Sequence, residues 1–153
     1  VMRPPPPVLA LVAGVAQHLW AGATPPSAPR RALATATAAA SVGLAGAAAG
    51  QFRAHHTTVE PFDPSKATSL VVTGPNALTR NPMYVGMAGL LVANAVRLGD
   101  WRALLPLAAF VGYIDRFQIA AEERALAEKF GADYAAYRTA VPRWLDSSSL
   151  PGR

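Results

Sequence analysis

Four apolar stretches, each free of formal charge over most of its length, set the first limit on what this chain can fold into. The first runs from about Pro7 to Ala23. Thr24-Pro25-Pro26-Ser27-Ala28-Pro29 breaks it, because consecutive prolines lack backbone donors and clash with the preceding turn. Arg30-Arg31 follows as a charged stop. The second stretch, Ala32 to Gly50, is built from Ala, Gly, Ser, Thr, Val and Leu, and small residues let helices approach closely. Its weak hydrophobicity predicts a place inside a bundle rather than facing lipid on all sides. The third, Pro82 to Val96, reaches the roughly 20 residues of a membrane span only if Arg97 snorkels to the headgroups. The fourth, Trp101 to Ala121, is apolar as far as Ile114 and then meets Asp115-Arg116. Leu98-Gly99-Asp100 makes a tight turn between the last two, so they pair as an antiparallel helical hairpin.

Composition agrees with a lipid environment. Charged residues are 15% of the chain, against about 25% in ordinary soluble domains. The 153 residues leave room for a single domain, 1–153. The expected fold class is all-α: a polytopic membrane helical bundle of about four transmembrane helices with a C-terminal amphipathic helix. Val8 to Ala21 also has the length of a signal-peptide core, and Ala21-Gly22-Ala23 offers a cleavage site. A retained first span is the preferred reading, since the later stretches need helical partners.

Four spans would put Arg3, Arg53, Lys66, Arg80, Arg116, Arg124, Lys129, Arg138, Arg143 and Arg153 on one side of a membrane. Arg30, Arg31, Arg97 and Arg102 would lie on the other. Ten against four makes the first side cytoplasmic by the positive-inside rule.

Several chemistries are excluded. Net charge is +5, but the arginines are scattered and no basic cluster interleaves with aromatics, so nucleic acid is not an expected partner. Cysteine is absent, which removes thiolate metal sites and Cys nucleophiles. His18, His55 and His56 have no carboxylate or further histidine at ligand spacing, so no metal is expected. There is no nucleophile elbow, Gly-rich phosphate loop or dinucleotide fingerprint.

The connection from Gln51 to Asn81 is too long for a structureless loop without a function. It holds Phe52, Val59, Phe62, Leu70, Val71 and Val72, and Leu70-Val71-Val72-Thr73-Gly74-Pro75 reads as an extended run closed by a Gly-Pro turn. Beyond the fourth stretch, Leu126, Phe130, Tyr134, Tyr137 and Val141 recur at helical spacing, with Gly131 as a kink and Glu122 one step of four before Leu126. Pro142-Arg143-Trp144 ends this helix, and Trp144 suits a membrane interface.

Three polar groups remain on the expected cytoplasmic side: Thr57-Thr58-Val59-Glu60-Pro61, Gly74-Pro75 through Arg80-Asn81-Pro82-Met83-Tyr84-Val85-Gly86, and Glu122-Glu123 with Tyr134 and Tyr137. Each has a structural reading: a capped loop, a helix start with Asn81 as N-cap and Pro82 at the first position, and solvated first-turn carboxylates. Together they say more. Arg80-Asn81 open the third stretch and Glu122-Glu123 close the fourth, so the hairpin brings both to one face. Ionisable groups at membrane depth are functional candidates. A zwitterionic ligand suits such a site: carboxylates for its amine or hydroxyls, a helix N-terminus for its carboxylate.

The ordered blocks Thr-Thr-Val-x-Pro, Leu-Val-x-Thr-Gly-Pro, Arg-Asn-Pro-Met-Tyr-x-Gly, Glu-Glu-x-x-Leu-x-x-x-Phe-Gly-x-x-Tyr-x-x-Tyr and Val-Pro-Arg-Trp-Leu resemble the isoprenylcysteine carboxyl methyltransferase family, whose wider group includes the phospholipid N-methyltransferases. The resemblance covers about Phe52 to Leu145. It implies a helical membrane enzyme that binds S-adenosylmethionine at the cytoplasmic face and takes a lipid or lipophilic acceptor laterally from the bilayer. The alanine-rich style looks bacterial, which implies an inner membrane and leaves the prenylcysteine substrate untransferred. Carried over, Val72, Thr73 and Gly74 belong to the loop against the cofactor, and Tyr84 and Gly86 line the pocket. Glu122 and Glu123 match the carboxylate pair that holds the cofactor, Glu122 also counting as catalytic. Tyr134 and Tyr137 close the site, and Arg80 stands on the acceptor side as a catalytic candidate.

Two positions depart from the pattern. Asn81 stands where eukaryotic members have histidine; it can cap and hydrogen-bond but not titrate. Asn76 replaces the aromatic usual after Gly-Pro. Two other readings stay open: an NADPH-dependent membrane reductase of the sterol-reductase type, which shares a similar Arg-His-Pro-x-Tyr segment, and a non-catalytic membrane scaffold.

Overall fold

The computed structural model describes residues 4–22, 24–54 and 69–149. The Thr57–Pro61 block, His55 and His56 lie outside the described residues. Among the described residues five α-helices carry the fold: α1 (Pro6–Trp20), α2 (Ala28–Ala54), α3 (Pro82–Leu98), α4 (Leu104–Tyr113) and α5 (Ala120–Ala140). Among the described residues there is no strand, so the all-α expectation is met.

Helix α2 begins earlier than the proline run suggested. Pro29 falls in its first turn, where a missing N–H costs nothing. Arg30 and Arg31 therefore lie inside the helix rather than stopping the chain before it. The buried residues of α2 are Ala34, Ser41 and Ala48, seven apart, which is a single seam. That seam meets α3 at its glycines. A Cβ on Gly86 would lie 2.8 Å from Ala45 Cβ and 2.9 Å from the Ser41 carbonyl oxygen, and one on Gly89 would collide with the Ser41 hydroxyl. Small residues thus permit the close approach expected of them. The rest of α2 is largely exposed, so it flanks the bundle rather than sitting inside it. Alanine and glycine bury little area, and one tight seam is what such a helix gains.

The α3–α4 hairpin turns on Gly99, whose φ of 67° is the left-handed conformation that glycine adopts without steric cost. Asp100 then caps a 3-10 turn, Trp101–Ala103: its Oδ1 accepts the Arg102 N–H at 2.9 Å. Its Oδ2 accepts the Gly22 N–H at 2.9 Å, and the Thr24 hydroxyl donates to the Leu98 carbonyl at 3.2 Å. The α1–α2 and α3–α4 turns are therefore tied together at one end of the bundle. Gln17, fully buried in α1, locks the same elements further in. Its amide donates to the carbonyls of Leu91 at 3.0 Å and Ala103 at 2.9 Å, and accepts from Asn94 at 2.8 Å. Ala13, Tyr84, Leu91, Phe110, Ile114 and Ile119 form the core among α1, α3, α4 and the six residues that follow α4.

From Trp101 to Ala140 the chain runs as 40 helical residues interrupted by one non-helical residue, Gly131. The expected separate C-terminal helix is joined to α4 by a π-helical turn, Ile114–Ile119. A π turn rotates the following residues relative to an α-helix without breaking it. The kink foreseen at Gly131 is present, with φ 50° and ψ −117°.

Among the described residues, two helices are long and apolar enough to cross a membrane: Ala28–Ala54 and the Trp101–Ala140 run. Helices α1 and α3 have 15 and 17 residues, and at about 1.5 Å per residue they fall short of a hydrocarbon core roughly 30 Å thick. Large apolar side chains nevertheless point outward from α1, including Leu11 at 68% and Leu19 at 78% exposure.

Candidate functional site

At the end of the bundle away from the Gly99 turn, the segment before α3 and the chain after α5 run against each other. The Arg80 N–H donates to the Pro142 carbonyl at 2.9 Å. The Thr79 hydroxyl, fully buried, donates to the Arg143 carbonyl at 2.8 Å, and the Asn81 amide reaches the same oxygen at 2.9 Å. Asn81 does occupy the N-cap position of α3, but its side chain caps nothing in the helix. The carbonyl of Arg143 takes its amide instead, and Pro82 needs no acceptor.

This clasp fixes Arg80. Its side chain is 9% exposed, and its guanidinium donates to the Val141 carbonyl at 2.5 Å, the Arg138 carbonyl at 3.2 Å and Glu123 Oε1 at 2.7 Å. Arg143 approaches the same carboxylate from the other side, at 2.5 Å to Glu123 Oε2, and also holds Asp115 at 3.1 Å. Pairing with Glu123, against some loss of hydration and with Asp115 adding to it, raises the Arg143 pKa above its ordinary value and keeps the guanidinium charged. Trp144 donates from its indole to Asp115 at 2.8 Å and packs on the core. The indole expected at a membrane interface is thus spent on closing the network.

Glu122 takes a different direction. Adjacent residues on a helix point about 100° apart, so the two carboxylates divide. Glu122 Oε1 accepts the Tyr84 hydroxyl at 2.5 Å and the Gln118 amide at 2.7 Å. Glu123 serves the two arginines. The pair is brought to one end of the bundle but not onto one face of the helix.

The aromatic stripe of α5 packs as its spacing predicts: Tyr134, Tyr137 and Val141 are buried with Leu70, Leu126 and Phe130 against them. Tyr134 and Tyr137 meet edge to face, 6.3 Å between centroids. The Tyr137 hydroxyl donates to the Asn76 carbonyl at 2.6 Å, which pins the 3-10 turn Gly74–Ala77 onto α5. Gly74 has a φ of 60°, and a Cβ there would lie 2.8 Å from the Gln51 side-chain nitrogen. The Thr73 hydroxyl stands 3.4 Å from Gln51 Oε1, and Val72 is exposed. Gly86 lies apart from this group: it is buried against α2, where it serves helix packing.

Of the sequence candidates, then, Arg80, Asn81, Tyr84, Glu122, Glu123, Tyr134 and Tyr137 gather at one end, with Val72, Thr73 and Gly74 beside the end of α2. Sequence reasoning did not assign Asp115, Gln118 or Arg143 to the site. Gln118 stands four residues before Glu122, a helical neighbour, and that signal was available. Arg143 gave none by local spacing, because its partners lie 20 and 28 positions away; its signal was its place in the Val-Pro-Arg-Trp-Leu block. Among the described residues no group of His, Asp and Glu is placed to hold a metal.

Comparison with known proteins bears on this site. A family model for phospholipid methyltransferases matches residues 29–133, more than half of the chain, including Arg80, Tyr84, Glu122 and Glu123. An uncharacterized protein of Haemophilus influenzae (strain Rd) is 41% identical over 63 residues, which is 41% of this chain and all of that protein. No solved structure matches. A match of that extent shows that the chain belongs to the phospholipid methyltransferase family.

Proposed function

We propose that this protein transfers a methyl group from S-adenosylmethionine to a lipid or lipophilic acceptor at the cytoplasmic face of a bacterial inner membrane. The carrying observation is the junction itself: Tyr84 with Glu122, and Arg80 with Glu123 and Arg143, at one end of the bundle, where Arg80, Tyr84, Glu122 and Glu123 all fall within the family match. One domain, with its catalytic core at about 52–145, would hold both cofactor and acceptor.

Four spans remain the favoured arrangement. The two turns tied by Asp100, Gly22 and Thr24 place the ends of α1 and α3 and the starts of α2 and α4 together, as an up-down bundle requires. The shorter helices α1 and α3 would then be accommodated by local bilayer thinning.

The fit of the cofactor rests on the loop before α3. Ser69 Oγ, Asn76 Oδ1 and Arg80 Nε are buried there without a hydrogen-bond partner. Buried polar atoms are paired in the great majority of cases, so a ligand carrying both donors and acceptors suits this segment. S-adenosylmethionine supplies an already activated sulfonium methyl when bound. The protein's work is then positioning and exclusion of water. In this reading Glu122, oriented by Tyr84 and Gln118, is the carboxylate that faces the cofactor's amine or ribose hydroxyls. Glu123 orders the two arginines. Arg80 contributes on the acceptor side. Val72, Thr73 and Gly74 form the loop wall, Asn81 and Gly86 set the start and seating of α3, and Tyr134 and Tyr137 back the site.

Thermal shift of the detergent-purified protein separates the readings. S-adenosylhomocysteine should raise the unfolding midpoint and NADPH should not; the reverse would favour a reductase, and no response to either a scaffold. A labelled methyl-transfer assay against a total lipid extract, with the product identified by mass, then names the acceptor.

A further inference from the structure

Asn76 carries one of the buried polar atoms that the protein leaves unpaired. It is 4% exposed, and its backbone is fully engaged: its N–H donates to the Thr73 carbonyl at 3.2 Å and its carbonyl accepts the Tyr137 hydroxyl at 2.6 Å. Those two bonds hold the residue still. Its side-chain oxygen, out of reach of solvent, has no partner. A buried acceptor left unpaired costs stability that alanine would not. The two other orphaned atoms of this segment, Ser69 Oγ and Arg80 Nε, lie on either side of it in the chain.

The surroundings narrow what completes it. The charges of Arg80, Glu123 and Arg143 are spent on one another, and Glu122 is held by Tyr84 and Gln118. Near the Gly74–Ala77 turn stand Tyr137 and the apolar and aromatic cluster it belongs to, with Tyr134, Leu70 and Phe130. A neutral acceptor on a turn pinned to Tyr137 fits a flat heteroaromatic amine better than an ammonium, which would seek a carboxylate. Side-chain amides match adenine's 6-amino edge, the oxygen accepting from the exocyclic amine.

We propose that Asn76 is a specificity-determining residue that accepts a hydrogen bond from the 6-amino group of the cofactor's adenine. This rests on the methyl-transfer reading and deepens it. The residue confers discrimination by chemistry: a site built to pair with an N–H rejects an analogue that presents an oxygen there.

The test is calorimetric binding to the full chain in detergent, with S-adenosylhomocysteine and its 6-oxo analogue, S-inosylhomocysteine. The wild-type protein is expected to bind the adenosyl compound about tenfold more tightly or better. In Asn76→Ala, and in Asn76→Ser as a second variant, the preference should fall to near unity, chiefly through weaker adenosyl binding. Equal affinity of the wild type for the two compounds, or preference for the inosyl one, overturns the proposal without needing any variant. So does a variant that keeps the preference or weakens both ligands alike. In each of those cases adenosyl binding still stands and the methyl-transfer reading survives. Absence of S-adenosylhomocysteine binding to the wild type defeats that reading and this proposal together.

Discussion

Glu123 Oε1 lies 2.7 Å from Arg80 across 43 residues of chain, and both side chains are about nine-tenths buried. A buried pair of this kind is costly to form and more costly to break, because removing one partner strands the other charge. Glu123→Ala is expected to destabilise the protein by roughly 3 kcal/mol, read as a fall in the unfolding midpoint in detergent. Arg80 and Arg143 would then share no carboxylate between them. An unchanged midpoint would mean that the two arginines are satisfied without Glu123.

Glu122 is expected to behave differently although it is the next residue. Glu122→Gln keeps the shape and leaves the Glu123 network whole, so the midpoint should move little. Affinity for S-adenosylhomocysteine should fall about tenfold, the loss of one charge-assisted contact. Tyr84→Phe, which removes the 2.5 Å hydrogen bond to Glu122, should produce a smaller loss in the same direction and cost about 1 kcal/mol of stability. Calorimetry on the three variants checks the division of labour; equal effects from Glu122→Gln and Glu123→Gln on both readouts would count against it.

Gln17 offers the control from the far end. Gln17→Leu leaves Asn94 without its acceptor and should cost about 1–2 kcal/mol, as buried polar contacts between membrane helices do. Ligand affinity should be unchanged, since among the described residues the Gln17 side chain bonds Leu91, Ala103 and Asn94, all away from the site. A large affinity loss would show coupling along α3 that the packing does not suggest.

Glycine positions can be sorted by what a side chain would meet. Gly86→Leu forces apart α2 and α3, where Ala45 Cβ and the Ser41 oxygen stand within 3 Å of the new Cβ, at a cost of about 1–3 kcal/mol. Gly43→Ala meets nothing within 4 Å and should be neutral or stabilising by up to about 1 kcal/mol, since alanine is the better helix former. Thermal midpoints of the two variants should move in opposite directions.

Asp100 gives a pH dependence. Hydrogen bonds from the Arg102 and Gly22 N–H groups hold its carboxyl below the ordinary value of 3.8. A depressed pKa stabilises the fold while the group is ionised. The contribution is therefore complete well above pH 3.8 and is lost as the pH falls through the depressed value. The difference in midpoint between wild type and Asp100→Ala should be constant at neutral pH and shrink on acidification. A difference that grows toward acid would reverse the assignment.

Much of this protein follows from local sequence. The apolar stretches, the Gly99 turn, the Gly131 kink and the Leu126–Val141 stripe are each set by residues within a turn or two of one another, and each appears where its spacing puts it. So does the meeting of Arg80 with Glu123, because a hairpin of two stretches of known length fixes where their outer ends fall. Other features depend on distant partners. Helix α2 looked like an interior helix by composition, yet only the seven-residue seam against Gly86 and Gly89 decides how it packs. The π turn at Ile114–Ile119 has no local signature, and neither does the choice that sends Glu122 to Tyr84 and Glu123 to the arginines. Arg143 joined the site only because the chain after α5 returns along Thr79–Asn81. The sequence by itself determined which helices exist and which ends meet, because helix periodicity and turn chemistry are local. Tertiary structure alone decided which polar atom pairs with which, because those bonds are won in competition among groups tens of residues apart.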